Sequence, residues 1–326
     1  MGESKKWKSK LLSSSVPMEY EVAKFLVSKK FAVDSEFSYS RVSDDGVKDF
    51  SVDLSATKYF NFDEGKEIPA TLTMLVECKH RQRSSKWLFF QDPNDPEMSQ
   101  FVLGYSLRCV DDFSYEILNR DICSQFDNDV FYCMKGIEVD MSEKGNVHEA
   151  EIKHGLSQLQ YSIPDFIFSH ISHSLNGHKD DNTPFFYMPV LLTNSELYVA
   201  KPDVSSSVIE ESDDIEDFAE KVDYLVVGLG IAPELEKHSS KVFSQFIDEL
   251  PEENLKDVEN FRLFAGEYPG RSPIKILENL AFNIDRSRSF EYYSQVVVCS
   301  MKGFESLIDK VGSIANESLS NLNSHE

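Results

Sequence analysis

The stretch Thr71-Leu72-Thr73-Met74-Leu75-Val76-Glu77-Cys78-Lys79 is an apolar run closed by an acid and a lysine two residues apart. Strand side chains alternate between faces, so Glu77 and Lys79 point one way while Val76 and Cys78 point the other. A carboxylate and an ammonium side by side at a strand end can hold a divalent cation and orient a water, provided a second carboxylate stands nearby. Residues 50–56 supply one: Phe50, Val52, Leu54 and Ala56 form one face, and Ser51, Asp53 and Ser55 the other. Asp53 is the lone acid in that pattern. Residues 57–69 carry Asn61, Asp63, Gly65 and Pro69 and read as a loop joining adjacent antiparallel strands, a pairing that brings Asp53 beside Glu77.

Upstream, residues 17–31 read as a helix: Pro17 suits the first turn, and Met18, Val22, Phe25 and Leu26 recur at helical spacing. On the helical wheel Glu19 falls inside the apolar arc and Glu21 outside it, so Glu19 is expected to face the sheet. Residues 32–41 alternate as a first strand and residues 43–46 make a turn. Downstream of Trp87-Leu88-Phe89-Phe90, residues 91–100 with Pro93, Asn94 and Pro96 read as a loop, and residues 101–109 and 130–138 are strand candidates in a less regular region. Residues 147–175 are helical in pattern, interrupted at Pro164, and carry His154, Gln158, Gln160 and Tyr161. Two strands around a hairpin turn at Asn194-Ser195 occupy residues 185–199. The acidic segment 202–220 reads as a mobile connection or an exposed helix start. Short buried strands at 224–229 and 295–300 and a closing amphipathic helix at 303–314 complete an α/β pattern without a repeat.

The 326 residues suffice for a large core, and no apolar run approaches the roughly 18 residues of a membrane span. The basic N-terminus leads into Ser13-Ser14-Ser15, not into the apolar stretch of a secretory signal, so a cytoplasmic location is expected. Cys78, Cys109, Cys123, Cys133 and Cys299 are an odd number without a CxxC pair, as in a reducing compartment, and read as small buried hydrophobes. Net charge is -23, yet residues 1–90 carry 15 Lys+Arg against 13 Asp+Glu, leaving 18 against 43 for residues 91–326. The acid excess thus lies away from Asp53 and Glu77, while Lys79, His80, Arg81, Arg83 and Lys86 form a basic strip able to meet phosphates. Global acidity predicts weak, salt-sensitive non-specific binding to DNA.

A helix acid, a strand acid, an ExK strand end and a helix with polar amides follow one another in an order that resembles the PD-(D/E)XK, or restriction-endonuclease-like, nuclease superfamily. The local wording of residues 17–23, 52–56 and 75–79 is similar to that of uncharacterised bacterial restriction-endonuclease-like proteins, and Lys86-Trp87-Leu88-Phe89-Phe90 extends the match. The resemblance implies a core of helix, three antiparallel-led strands, helix and strand within residues 14–200, with an insertion at about 91–146 and an acidic α/β C-terminal extension at 201–326 packed on it. It implies that Asp53, Glu77 and the backbone carbonyl of Cys78 bind Mg²⁺ or Mn²⁺, that Lys79 positions the attacking water, and that Glu19 supports the metal. Arg81, Arg83 and Lys86 would contact DNA, the expected substrate. A homodimer and a basic protein partner for the acidic half are further expectations, and a catalytically inactive binding module on the same scaffold is the alternative.

Other ExK triplets occur at Glu3-Ser4-Lys5, Glu64-Gly65-Lys66 and Glu151-Ile152-Lys153, and roughly one or two are expected by chance. Only Glu77-Cys78-Lys79 closes an apolar strand downstream of an isolated strand acid. The pattern also departs from the superfamily: Val52 stands where a proline precedes the strand acid, and Gln158 and Tyr161 are three residues apart where some relatives have four. Gln158 and Gln160 are therefore read as surface polar residues. His170, His173 and His178 lack a flanking acid at metal-ligand spacing and read as exposed, and Gly228-Leu229-Gly230 lacks the third glycine of a dinucleotide loop.

Overall fold

The computed structural model describes residues 3–43, 46–61, 70–94, 104–105, 130–142, 145–177, 185–249 and 294–324. In chain order the elements are α1 (Glu3–Leu12), α2 (Val16–Ser28), β1 (Ala32–Asp34), β2 (Phe37–Ser43), β3 (Gly46–Val52), β4 (Leu54–Phe60), β5 (Ala70–Lys79), β6 (Ser85–Gln91), β7 (Gly104–Tyr105), β8 (Tyr132–Asp140), β9 (Val147–His148) and α3 (Ala150–Gly177). There follow β10 (Phe185–Thr193), β11 (Glu196–Ala200), α4 (Ser206–Glu211), α5 (Ile215–Phe218), β12 (Ala219–Val222), β13 (Tyr224–Gly228), α6 (Pro233–Glu249), β14 (Gln295–Ser300) and α7 (Phe304–Ser324).

The protein is mixed α/β. Its 12-stranded sheet runs β1-β4-β5-β10-β14-β13-β8-β6-β11-β12, with β7 paired to β10 and β9 to β8. At one end β1, β4 and β5 are antiparallel neighbours, and β10 lies parallel to β5. A helix (α2) precedes this set and another (α3) joins β5 to β10 by way of β6, β8 and β9. β5 and β10 are buried along nearly their whole length, as central strands are when both faces are covered. Leu72, Met74, Val76 and Cys78 join α2 and α7 in one core, whereas Leu75 joins α3 and α6 in the other. Alternation thus sends Glu77 and Lys79 toward the α3 layer.

Pro189 sits inside β10, where a missing N–H normally costs a ladder bond. Its position resolves this: on the edge away from β5, β10 pairs β7 at Phe186 and Tyr187 and β14 from Val190 onward, so Pro189 falls between the two partners.

Several expectations change. Residues 32–41 are two strands, and residues 50–56 break at Asp53, so that Val52 is buried in the α3-side core and Leu54 in the opposite one. An unbroken strand would have put both on one face. The chain between β1 and β4 instead leaves the sheet as a hairpin of its own, β2-β3, with Gly46 at φ 117° at its tip, a conformation a side chain disfavours. Helix α3 runs through Pro164 without interruption, and α1 and the added length of α7 were not expected. The acidic segment 202–220 is ordered into α4, capped by Ser205, and α5, capped by a reciprocal Asp214–Asp217 box. β13 and β14 lie within the main sheet, so the sheet is continuous across the expected boundary at 200/201. Most of residues 101–109 lie outside the described residues.

Candidate functional site

The break at Asp53 and the C-terminal end of β5 meet. β4 pairs β5 with Leu54 opposite Val76, and just beyond that pair the Cys78 amide donates to Asp53 Oδ2 at 2.7 Å. Glu77 is 2 % exposed, and its Oε1 accepts from Lys79 Nζ at 2.6 Å. Its Oε2 is buried and has no hydrogen-bond partner among the described residues. Burial first, and then the nearby Asp53 charge, push the Glu77 carboxyl up to about 7, a rise that Lys79 and the Asp53 backbone N–H offset only in part. Asp53 is raised too, mainly by burial, with the charge of Glu19 adding to the rise against the Cys78 hydrogen bond.

Glu19 enters from the opposite layer, in the first turn of α2. It is half-buried while Glu21 is exposed, and its charge reaches both Asp53 and Cys78. The four expected residues Glu19, Asp53, Glu77 and Lys79 therefore converge. The remaining ExK triplets do not compete: Glu3–Lys5 and Glu151–Lys153 lie on helices, and Glu64–Lys66 lies outside the described residues.

Gln158 is no surface residue. Its Oε1 accepts from Lys79 Nζ at 3.3 Å and its Nε2 donates to the Ser51 carbonyl at 3.1 Å, tying α3 to the strand end that carries Lys79 and to β3. An ammonium has three N–H donors, and here two point at Glu77 and Gln158. Gly155 permits the approach of α3: a Cβ there would stand 2.5 Å from Leu191 Cδ1 and 3.2 Å from Lys79 Cε. Gly155→Ala is expected to lower stability by about 1–2 kcal/mol, overpacking outweighing the gain in helix propensity, as read by chemical denaturation. An unchanged or higher midpoint would show that Leu191 yields freely.

The end of β5 is pinned by two residues whose roles sequence reasoning missed. Thr193 Oγ1 donates to the Lys79 carbonyl at 2.9 Å. Asn194 accepts from the Arg81 amide at 2.6 Å and donates to the Arg81 carbonyl at 2.9 Å, extending the β5–β10 ladder with a side chain. Asn194-Ser195 is thus not a hairpin turn, since β10 pairs β5 and β14 whereas β11 pairs β6 and β12. A polar residue at the end of each of two parallel strands was the available signal.

The basic strip is largely engaged within the protein. Arg81 Nε and Nη2 donate to buried Glu138 Oε1 at 3.0 and 2.7 Å, and Ser85 Oγ donates to the same oxygen at 2.8 Å. Lys86 Nζ lies 3.7 Å from Asp214 and over the Tyr198 ring. Arg83 is exposed. His170, expected to be exposed, instead stacks on Phe185 with ring centroids 4.7 Å apart, and Cys78, Cys133 and Cys299 are buried free thiols.

Among the described residues no group of three or more His, Cys, Asp and Glu is arranged as a ready metal cage. Asp53 and Glu77 could still hold a hard dication: both are oxygen donors, their charges repel, and one buried carboxylate oxygen is unpartnered. Mg²⁺ suits such a set, since it keeps several waters and takes few protein ligands. No helix among the described residues is long and apolar enough to cross a membrane. Comparisons of the chain with family models, with curated proteins and with solved structures give no match.

Proposed function

We propose that the protein is a Mg²⁺- or Mn²⁺-dependent nuclease of the restriction-endonuclease-like type that hydrolyses DNA phosphodiester bonds. The observation that carries this reading is the crossing of Asp53 with the Glu77–Lys79 strand end, where a buried Glu77 oxygen has no partner. The helix–strand–strand–strand–helix–strand order of α2, β1, β4, β5, α3 and β10, with the hairpin and β6 to β9 as excursions, supports the same type.

In this reading Asp53 and Glu77 hold the dication, with the Cys78 carbonyl as a further ligand and Glu19 supporting from α2. When bound, the ion neutralises charge on the scissile phosphate and favours ionisation of water. Lys79, fixed by Glu77 and Gln158, has one N–H left to orient the attacking water or a phosphoryl oxygen. The water oxygen bonds to phosphorus and loses a proton to solvent, the ester P–O bond breaks, and the leaving oxygen takes up a proton from solvent.

The purified protein is expected to nick or cut DNA with Mg²⁺ or Mn²⁺, and Mn²⁺ is expected to raise its melting temperature in a manner lost in Asp53→Asn. Protein inert on double-stranded and single-stranded DNA with both metals would overturn the proposal. A second reading, an inactive nuclease-fold protein serving as an interaction module, is favoured by the engagement of Arg81 and Lys86 with Glu138 and Asp214. It predicts no Asp53-dependent response to Mn²⁺.

A further inference from the structure

Arg41, on β2, is a cation in a setting that a structural clamp does not require. Its guanidinium carbon lies 5.4, 4.3 and 4.0 Å from the ring centroids of Tyr39, Phe50 and Tyr161. Nη2 donates to Tyr39 Oη at 2.6 Å and to the Ser157 carbonyl at 3.3 Å. Nε is buried without a hydrogen bond. Among the described residues no carboxylate ion-pairs with Arg41 and no hydrogen bond engages Nη1. Three aromatic rings flank a guanidinium whose hydrogen-bonding capacity is mostly unspent.

Arg41 is also linked to the lysine of the acid pair through α3. Ser157 and Gln158 are successive residues of α3; the first gives its carbonyl to Arg41 and the second its side chain to Lys79. His154, one turn earlier on the same helix, is exposed and feels both cations: burial chiefly, then Lys79, and also Arg41 disfavour its proton, with Glu151 opposing. Three basic groups from β2, β5 and α3 thus lie within electrostatic reach of one another, and among the described residues Lys79 is the member of this group that ion-pairs with a carboxylate, Glu77.

From this gathering we infer that Arg41, with His154 beside it, forms a phosphate subsite that holds a backbone phosphate of the DNA strand next to the one cleaved. A planar guanidinium held by two hydrogen bonds and flanked by aromatic rings matches the oxygens of a phosphate in a way an ammonium does not. The identity of the anion rests on the nuclease reading; the existence of an anion site does not.

The test is binding of a short fluorescein-labelled DNA duplex, followed by anisotropy over a range of salt in Ca²⁺, with cutting in Mg²⁺ scored separately. Arg41→Met, which keeps an unbranched apolar stem among the rings and removes the charge, is expected to weaken binding about tenfold and to reduce the slope of log K against log salt by about one. Arg41→Lys should recover the slope but only part of the affinity. Should Arg41→Met fail to fold, His154→Glu carries the same test from an exposed position by setting a carboxylate against the phosphate, again weakening binding about tenfold. Folded variants with wild-type slope and affinity, or wild-type protein that does not bind the duplex at low salt, would overturn the subsite. Competition by inorganic phosphate as effective as that by duplex would assign the site to free phosphate, overturning the DNA assignment. An Arg41-dependent slope without cutting leaves the subsite standing and removes the nuclease reading; cutting with an Arg41-independent slope does the reverse.

Discussion

Glu77→Gln and Lys79→Met are each expected to lower metal-dependent cutting of DNA by about a thousandfold or more, the scale of losing a charged group aimed at a reacting phosphate. The two losses have different origins and can be told apart. Glu77 contributes the buried oxygen that no protein donor satisfies, so Glu77→Gln should also abolish the rise in melting temperature caused by Mn²⁺. Lys79 contributes an ammonium and no lone pair, so Lys79→Met should keep that rise while losing the chemistry. Measuring single-turnover cutting and the Mn²⁺ shift on the same preparations checks both. Retention of wild-type cutting by either variant would remove that residue from the mechanism.

The metal-free protein is expected to become less stable as pH climbs from about 4.5 through 7. Glu77 is raised from 4.5 to about 7 in the folded chain, so its favourable contribution is complete below the unfolded value and is lost as pH rises through the folded one. With a side chain only 2 % exposed, the loss amounts to about 3 kcal/mol over that window. Denaturation midpoints across that pH range, taken with a chelator present, should follow this fall, and Glu77→Gln should flatten it. A bound dication favours the ionised carboxylate, so Mn²⁺ should counter the slope and its stabilising effect should grow with pH. Equal slopes in wild type and Glu77→Gln would mean that some other group titrates.

How far the site could be read from sequence follows from the range of each signal. Period-2 alternation along β5 is a local property, and it correctly put Glu77 and Lys79 on one face because both faces of that strand are buried. Helical phase did the same for Glu19 against Glu21. Asp53 defeated the same logic: alternation continued through it on paper, whereas the chain breaks there and Val52 and Leu54 part into different cores. Gln158 was misread because its partners, Lys79 and the Ser51 carbonyl, are remote in sequence, and nothing local distinguishes such an amide from a solvated one. Arg81 failed for a related reason, its buried partner Glu138 being supplied by a strand 57 residues away. The tertiary pairing of β10 with β14 and of β11 with β6 lies equally beyond local pattern, and two strands joined by a short link carry the same local signal as a hairpin.

The position of β14 ties assembly of the site to the last part of the chain. β14 is among the final elements in sequence, yet it lies directly beside β10, the strand whose Thr193 and Asn194 hold the end of β5. A nascent chain that has emerged only through residue 200 presents β10 with bare amides and carbonyls from Val190 to Thr193, where β14 will later bind. Contacts so distant in sequence close slowly, and an open strand flank is a template for pairing between molecules. Synthesis therefore carries a vulnerable interval that ends only when Gln295–Ser300 slots in, and a protein shortened before β14 should be recovered as aggregate, not as a smaller folded protein.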